Sequence, residues 1–229
     1  MIKKLIGYGN HHIDRNDKSI VLKSLNSKFI TTGNYVKKFE NKIMKFVNSK
    51  YAIVVNNGTA AILLALKSLN VKKNDVVVMP AINFIASYSA ATQLGAKIYL
   101  SDIDLKTGQM SPETLQECIK QNKLKKIKCL ITMYNGGSPE YVDQFYKLKK
   151  KFNFKILEDA CHAFGSSYNY KDKKNMIGSC KHSDICTFSF HPVKTITTGE
   201  GGAITTNNYE LYKKISYLRS HGIVRSRKR

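Results

Sequence analysis

The sequence predicts an α/β fold in which a mostly parallel central sheet carries helices on both faces. Short β-branched runs alternate with longer amphipathic stretches along the chain, which is typical of a sheet built from βα units. With 229 residues, the chain is long enough for one domain with a full core. Apolar residues make up 42% and charged residues 24%, which argues against a disordered or disulfide-stapled protein.

The individual elements follow from local patterns. Apolar residues spaced by three and four predict a helix over 34–48. Ser111 followed by Pro112 and an early acid is a typical helix start. The predicted strands are 51–55, 75–79, 97–100, 129–133, 154–157, 184–190 and 202–206. The predicted helices are 34–48, 59–69, 83–94, 112–121, 140–151 and 208–219.

The net charge of +22 raises the question whether the partner is a nucleic acid or an anionic membrane. Of the 38 cationic side chains, 33 are lysines and five are arginines, whereas bidentate recognition of phosphates and bases favours arginine. The lysines are scattered along the whole chain. We therefore interpret the charge as a solvated surface that attracts small anionic substrates, and expect neither nucleic acid nor a membrane as partner.

The compartment follows from the first residues and the cysteines. The chain begins with MIKKL and turns polar at once, and no apolar run approaches the length of a membrane span. The five cysteines are odd in number and include no CxxC pair, which favours reduced thiols. We expect a cytoplasmic protein.

Common catalytic templates are missing from the sequence. It contains no GxxxxGK[ST] loop for ATP, no GxGxxG after a strand for a dinucleotide, and no HExxH for zinc. The six histidines do not pair with acidic neighbours at metal-ligand spacing, so we expect no metal.

Four unusual segments each follow a predicted strand: 56–59, 80–84, 158–162 and 191–194. In open α/β sheets, ligands bind outside the carboxyl ends of the strands, so these segments can converge on one crevice.

Each segment has a chemical and an ordinary interpretation. Residues 58–60 at a helix start offer backbone N–H groups and a hydroxyl to a phosphate, or form a simple helix cap. Asp159 follows a strand of the buried type and there needs a cationic or hydrogen-bonding partner; otherwise it is a surface turn acid. Lys194 stands out from the other lysines because Ser189 and the hydroxyl- and glycine-rich segment 195–202 flank it.

Together these segments resemble the DegT/DnrJ/StrS family of sugar-nucleotide aminotransferases, which are fold-type I enzymes dependent on pyridoxal 5′-phosphate (PLP). The similarity runs in family order from about Gly7 to Gly222. The motifs that carry it are 57–61 (NGTAA), 80–84 (PAINF), 158–166 (EDACHAFGS), 188–207 (FSFHPVKTITTGEGGAITTN) and 218–222 (LRSHG). Segments 7–14 and 29–33 are most similar to members that aminate C4 of a UDP-linked 4-keto-6-deoxy hexosamine in pseudaminic acid synthesis.

The resemblance implies a role for eight residues. Lys194 forms the Schiff base with PLP, Asp159 pairs with the pyridinium nitrogen, and His162 contacts the phenolic oxygen. Phe84 stacks on the ring. The phosphate is held by Gly58, Thr59, the backbone at Ala60, and Ser189. A protonated ring nitrogen makes PLP an electron sink, and a carboxylate at that atom favours the protonated form.

The resemblance also implies substrates and partners. An amino acid such as glutamate donates nitrogen, a UDP-linked keto sugar accepts it, and the full-length form is a homodimer. We expect residues 1–229, which end in VRSRKR, to comprise an N-terminal segment and the PLP-binding large domain, without the family's small C-terminal domain.

Two alternatives remain at this point. One is a dehydratase of the same family, although some of those replace the Schiff-base lysine with histidine, so Lys194 favours amine transfer. The other is a non-catalytic protein, either a truncated remnant or a basic binding module.

Overall fold

A seven-stranded sheet lies at the centre of the computed structural model, which describes residues 9–223. The sequence features at residues 1–8 and 224–229, including the MIKKL start and the VRSRKR end, lie outside these residues. The sheet strands are β1 (Tyr51–Val55), β2 (Val76–Pro80), β3 (Lys97–Ser101), β4 (Cys129–Met133), β5 (Lys155–Asp159), β8 (Ile185–Ser189) and β9 (Gly202–Thr206). A separate hairpin consists of β6 (Ser167–Tyr170) and β7 (Lys173–Met176). The helices are α1 (Arg15–Leu25), α2 (Asn34–Val47), α3 (Gly58–Ser68), α4 (Ala86–Gln93), α5 (Pro112–Gln121), α6 (Val142–Phe152) and α7 (Tyr209–Arg219).

The strand order is β1-β9-β8-β5-β4-β2-β3, and β9 alone runs against its neighbours. The pairs from β8 to β3 are parallel, which confirms the predicted sheet. Asp159 pairs with Thr187, and Ser189 pairs with Gly202 at the start of β9. The ends of β5 and β8 and the start of β9 therefore lie at one edge of the sheet.

Alternating strand residues show that helices cover both faces. In β2, Val77 and Met79 pack in one core cluster with α3 and α4, while Val78 packs in another with α5 and α6. In β5, Leu157 packs in the first of these clusters and Ile156 packs in the second. Because both of its faces are buried, β2 reads as a continuous apolar run instead of an alternating one.

Predicted element bounds differ from the structure mainly at α4. The sequence predicts this helix from residue 83, whereas it begins at Ala86. Residues 81–84 form an irregular turn between the sheet edge and α4. In contrast, α5 begins as predicted, with Ser111 accepting a hydrogen bond from the Thr114 N–H and Pro112 at the first helical position.

Two elements are absent from the sequence prediction. Helix α1 has no buried residue, and its apolar side chains include the consecutive run 20–22, which lacks helical spacing. A capping box between Asp14 and Asp17 marks its start. The β6–β7 hairpin is short and polar and turns at Lys171 and Asp172, which both have positive φ. Among residues 9–223, no helix has the length and apolar character that crossing a bilayer requires.

The free edge of β1 is closed by an ion pair. The Val54 N–H donates to Glu40 Oε1 at 3.1 Å, and Arg219 Nη1 donates to the Val54 carbonyl at 3.3 Å. Arg219 also pairs with Glu40. The pair joins α2 and α7 to a strand edge that would otherwise be open to another strand.

Arg219→Ala should lower the free energy of unfolding by about 1 to 2 kcal/mol, because it leaves the Glu40 carboxylate without its cationic partner and the Val54 carbonyl without its side-chain donor. Urea denaturation measures this. Lys213→Ala is the matched control, since its pair with Glu210 is exposed and its loss should change stability by less than about 0.5 kcal/mol. Equal effects of the two substitutions would contradict a specific role for the edge pair.

Candidate active site

The predicted segments meet at the carboxyl edge of the sheet. A Cβ atom on Gly58 would lie 3.0 Å from Ser189 Cβ and 3.1 Å from Cys161 Sγ, so the turns 56–59 and 158–162 meet at the end of β8. The turn 191–194 follows directly, and the His191 backbone N–H donates to Ser189 Oγ. The turn 80–84 is connected through α4, where Ser87 donates a hydrogen bond to Asp159. The structure therefore brings together the segments that the sequence predicts to converge.

The start of α3 provides donors for an anion. The N–H groups of Gly58 and Thr59 have no acceptor within the helix, as in the first turn of any α-helix. The Ala60 N–H instead donates to Asn57 Oδ1 at 2.8 Å, so the helix cap uses the backbone donor predicted at Ala60. Thr59 is exposed on this turn.

Glycine at position 202 lets α3 come close to the sheet. A Cβ there would lie 2.5 Å from the Asn57 carbonyl oxygen, which no real side chain tolerates. Ser189 lies beside Gly58 at the start of α3. It is buried, and its Oγ accepts a hydrogen bond from the backbone N–H of His191 at 3.5 Å. The cradle thus combines backbone N–H groups with the hydroxyl of Ser189.

Asp159 is a buried carboxylate, with only 2% of its surface exposed. This rules out the surface turn acid considered from the sequence. Ser87 Oγ donates to Oδ2 at 2.8 Å, and the Cys161 N–H donates to Oδ1 at 3.3 Å. Within residues 9–223, no cationic side chain pairs with it at ion-pair distance. A buried charge of this kind requires a cationic or hydrogen-bonding partner.

Lys194 lies half-buried in the turn after β8, where its backbone N–H donates to the His191 carbonyl at 2.9 Å. Burial lowers the pKa of His162, the positive charge of Lys194 lowers it further, and Asp159 opposes both. The pKa of His162 below its usual value favours a neutral imidazole at pH 7. Both charges therefore act on the same ring.

Cys161 lies between these groups but is not a nucleophile. Burial, followed by the charge of Asp159 and a hydrogen bond to it, raises the pKa of the Cys161 thiol well above its usual range, against an opposing effect of Lys194. The side chain therefore stays a neutral thiol that packs against Gly58.

Phe84 presents its ring to solvent, with 66% of its surface exposed. The ring contacts no other aromatic ring in the described part of the chain. Its position in the turn after β2 places it three residues before Ser87, the residue that contacts Asp159.

Sequence reasoning missed Ser87 and Cys161, and it offered a helix cap at residues 58–60 only as the ordinary alternative. No sequence signal marks Ser87, because its hydrogen bond joins residues 72 positions apart in the chain.

The chain is similar to known proteins of one family. The model of the DegT/DnrJ/EryC1/StrS aminotransferase family matches residues 11–229. A UDP-4-amino-4,6-dideoxy-N-acetyl-β-L-altrosamine transaminase of Campylobacter jejuni is 38% identical over 223 residues, which are 97% of this chain and 57% of that protein. The chain thus spans a little over half the length of this relative.

Solved structures show the same fold. A putative sugar aminotransferase of Streptococcus pneumoniae in its PLP form has a TM-score of 0.86 at 29% identity, covering 97% of this chain and 60% of that one. A GDP-4-keto-6-deoxymannose-3-dehydratase has a TM-score of 0.84 at 29% identity, covering 94% and 55%.

The electrostatics of the site can be tested on the chain without any ligand. Lys194→Ala should raise the pKa of His162, because it removes a positive charge that disfavours the imidazolium ion; Asp159→Asn should lower it. NMR titration of the imidazole protons measures both shifts. Lys181→Ala is the control: it should raise the pKa of His182 and leave His162 unchanged. A His162 pKa that neither site substitution moves would contradict the arrangement.

Proposed function

The chain belongs to the DegT/DnrJ/EryC1/StrS aminotransferase family, whose cofactor is PLP, and on this premise we propose that the protein transfers an amino group to a nucleotide-linked keto sugar. The observation that carries the proposal is the buried, cation-free carboxylate of Asp159 at the same sheet edge as Lys194. A carboxylate in that setting is suited to a protonated ring nitrogen.

The residues at the sheet edge fit PLP. The first N–H groups of α3 and the Ser189 hydroxyl suit a phosphate, and a side chain on Gly58 would narrow the space between them. We assign Gly58, Thr59 and Ser189 to the phosphate, with Ala60 at its margin because its N–H also serves the Asn57 cap. Phe84 is assigned to the face of the ring.

When bound, PLP supplies an electron sink for the carbon that loses its proton. Asp159 holds the proton on the ring nitrogen, because a nearby negative charge favours the protonated form. Lys194 attaches the cofactor and, once its amine is released, moves a proton between Cα of the amino donor and C4′ of the cofactor. His162, as a neutral imidazole, donates to the phenolic oxygen.

The acceptor we propose is a UDP-linked N-acetylamino 4-keto-6-deoxy hexose, and the donor is glutamate. Similarity to the Campylobacter jejuni transaminase supports the sugar, and the positive charge of the chain favours an anionic nucleotide. We further propose that the full-length protein is a cytoplasmic homodimer that acts in pseudaminic acid synthesis.

A second candidate is sugar dehydration with the same cofactor. It is supported by the likeness to the GDP-4-keto-6-deoxymannose-3-dehydratase. Lys194 in the HPVKTITTGEGG segment favours amine transfer. Incubation with the keto sugar and ¹⁵N-glutamate separates the two, since only transfer leaves ¹⁵N on the sugar.

The attachment site can be mapped directly. After incubation with PLP and reduction with borohydride, peptide mapping of the chain should find the label on Lys194, because the charges of this lysine and of Asp159 act on the same imidazole, that of His162. Lys194→Ala should abolish the label without loss of the fold, while Lys181→Ala should retain it. A label on another lysine would refute the assignment.

Asp159→Asn keeps the shape of the side chain but removes the charge that holds the ring proton. We expect the rate of transfer to fall by about a hundredfold, which is about 3 kcal/mol in the chemical step. The matched control is Asp184→Asn: this carboxylate is partly buried and precedes β8 at the opposite end of the strands, where it pairs with Lys149. An unchanged kcat in Asp159→Asn would overturn the role.

A further inference from the structure

Ser87 touches the carboxylate on which the proposed chemistry depends, and nothing in the sequence motifs marked it. We propose that Ser87 is a positioning residue that fixes the plane of the Asp159 carboxylate for the ring nitrogen of the cofactor. The inference rests on the proposed function. Ser87 Oγ lies 2.8 Å from Asp159 Oδ2, and the serine is fully buried in the first turn of α4.

Two donors hold the carboxylate, one on each oxygen. The Cys161 N–H reaches Oδ1 at 3.3 Å, and Ser87 reaches Oδ2 at the shorter distance. Rotation about the terminal bond of an aspartate is broad and nearly two-fold, so neither a strand position nor a single donor defines its plane. With the Ser87 hydroxyl in place, two donors from different elements, one on each oxygen, define the plane of the Asp159 carboxylate.

The Ser87 hydroxyl is used differently from similar hydroxyls in the fold. Thr92, in the same helix, donates back to the Tyr88 carbonyl at 2.9 Å, and Ser68 in α3 donates to the Ala65 carbonyl at 2.7 Å. Such local bonds are the ordinary choice of a hydroxyl in a helix. Ser87 instead donates its hydroxyl hydrogen bond to Asp159, which lies 72 positions away in the chain.

A hydrogen bond to a carboxylate also favours its ionised form. An ionised Asp159 leaves the shared proton on the ring nitrogen, where the electron sink requires it. Removing the hydroxyl should let the carboxylate rotate and compete for that proton. We therefore expect loss of the Ser87 hydroxyl to weaken cofactor binding and to make the cofactor ring less positive.

The position of Ser87 also relates it to the residue assigned to the face of the cofactor. Phe84 lies in the irregular turn after β2, three residues before Ser87 in the first turn of α4. The β2–α4 segment therefore carries both the residue proposed for the face of the ring and the contact with the Asp159 carboxylate.

Three variants of the 229-residue chain test the role. Ser87→Ala removes the donor; Ser87→Cys keeps nearly the same volume but is a weak donor. Ser68→Ala is the matched control, since it removes one buried hydroxyl bond at the last residue of α3, at the opposite end of that helix from the site. The readouts are the PLP dissociation constant from absorbance titration, and the pH midpoint of the visible absorbance of the bound cofactor.

We expect Ser87→Ala and Ser87→Cys to weaken PLP binding about tenfold. The pH midpoint should move upward, because a less positive ring makes the nitrogen joined to Lys194 easier to protonate. Ser68→Ala should match the wild type in both readouts. In an Asp159→Asn background, Ser87→Ala should add little, because the carboxylate it positions is gone.

Other outcomes overturn the inference. One is that both Ser87 variants have the PLP affinity and the pH midpoint of the wild type. Another is that the variants bind PLP more weakly but keep the wild-type pH midpoint, since that pattern indicates a packing role alone. If Ser87→Ala does not fold, the near-isosteric Ser87→Cys decides. If the wild type takes up no PLP, the proposed function is wrong, and the inference that rests on it is wrong as well. If PLP labels Lys194 but the Ser87 variants match the wild type in both readouts, only the inference is wrong.

Discussion

A carboxylate buried at the end of a central strand is the constraint on which the rest of the site depends. Asp159 loses nearly all contact with water, and no cationic side chain of residues 9–223 pairs with it. Burial of such a charge is unfavourable unless hydrogen bonds or a cationic partner offset it. The fold provides two donors, from α4 and from the turn after β5, and we propose that the remaining acceptor capacity of the carboxylate serves a ligand with a protonated nitrogen.

The sheet positions the groups that surround Asp159. Parallel strands bring the ends of β5 and β8 to one edge, and the reversed β9 returns to the same edge at Gly202. Because residue 202 lacks a side chain, the turn before α3 packs directly on the sheet, and the first N–H groups of α3 lie next to Ser189. The proposed phosphate site and the carboxylate are thereby held at a spacing that is set by backbone packing instead of by flexible side chains.

Charge has separate roles at the surface and in the site. Most of the 33 lysines act only through the overall field, which attracts anions and is screened by salt. Lys194 differs because it is half-buried and acts on the same imidazole as Asp159, with opposite sign. Position relative to the sheet edge, and not residue type, distinguishes it from the other lysines. The neutral His162 that results is suited to hydrogen bonding with a phenolic oxygen without adding a further positive charge.

The sequence by itself determined the strands β1, β4 and β9, because fully apolar or β-branched runs bounded by turn residues leave little alternative. It also placed Asp159 and Lys194 in recognisable motifs after strands. It did not reveal α1, whose apolar residues include the consecutive run 20–22 and are not buried, or the polar β6–β7 hairpin. Only the tertiary structure decided that the Ala60 N–H serves a cap and that Ser87 reaches Asp159. Local periodicity carries information over a few residues, whereas the contact between Ser87 and Asp159 depends on the order of the strands and on how α4 packs against them.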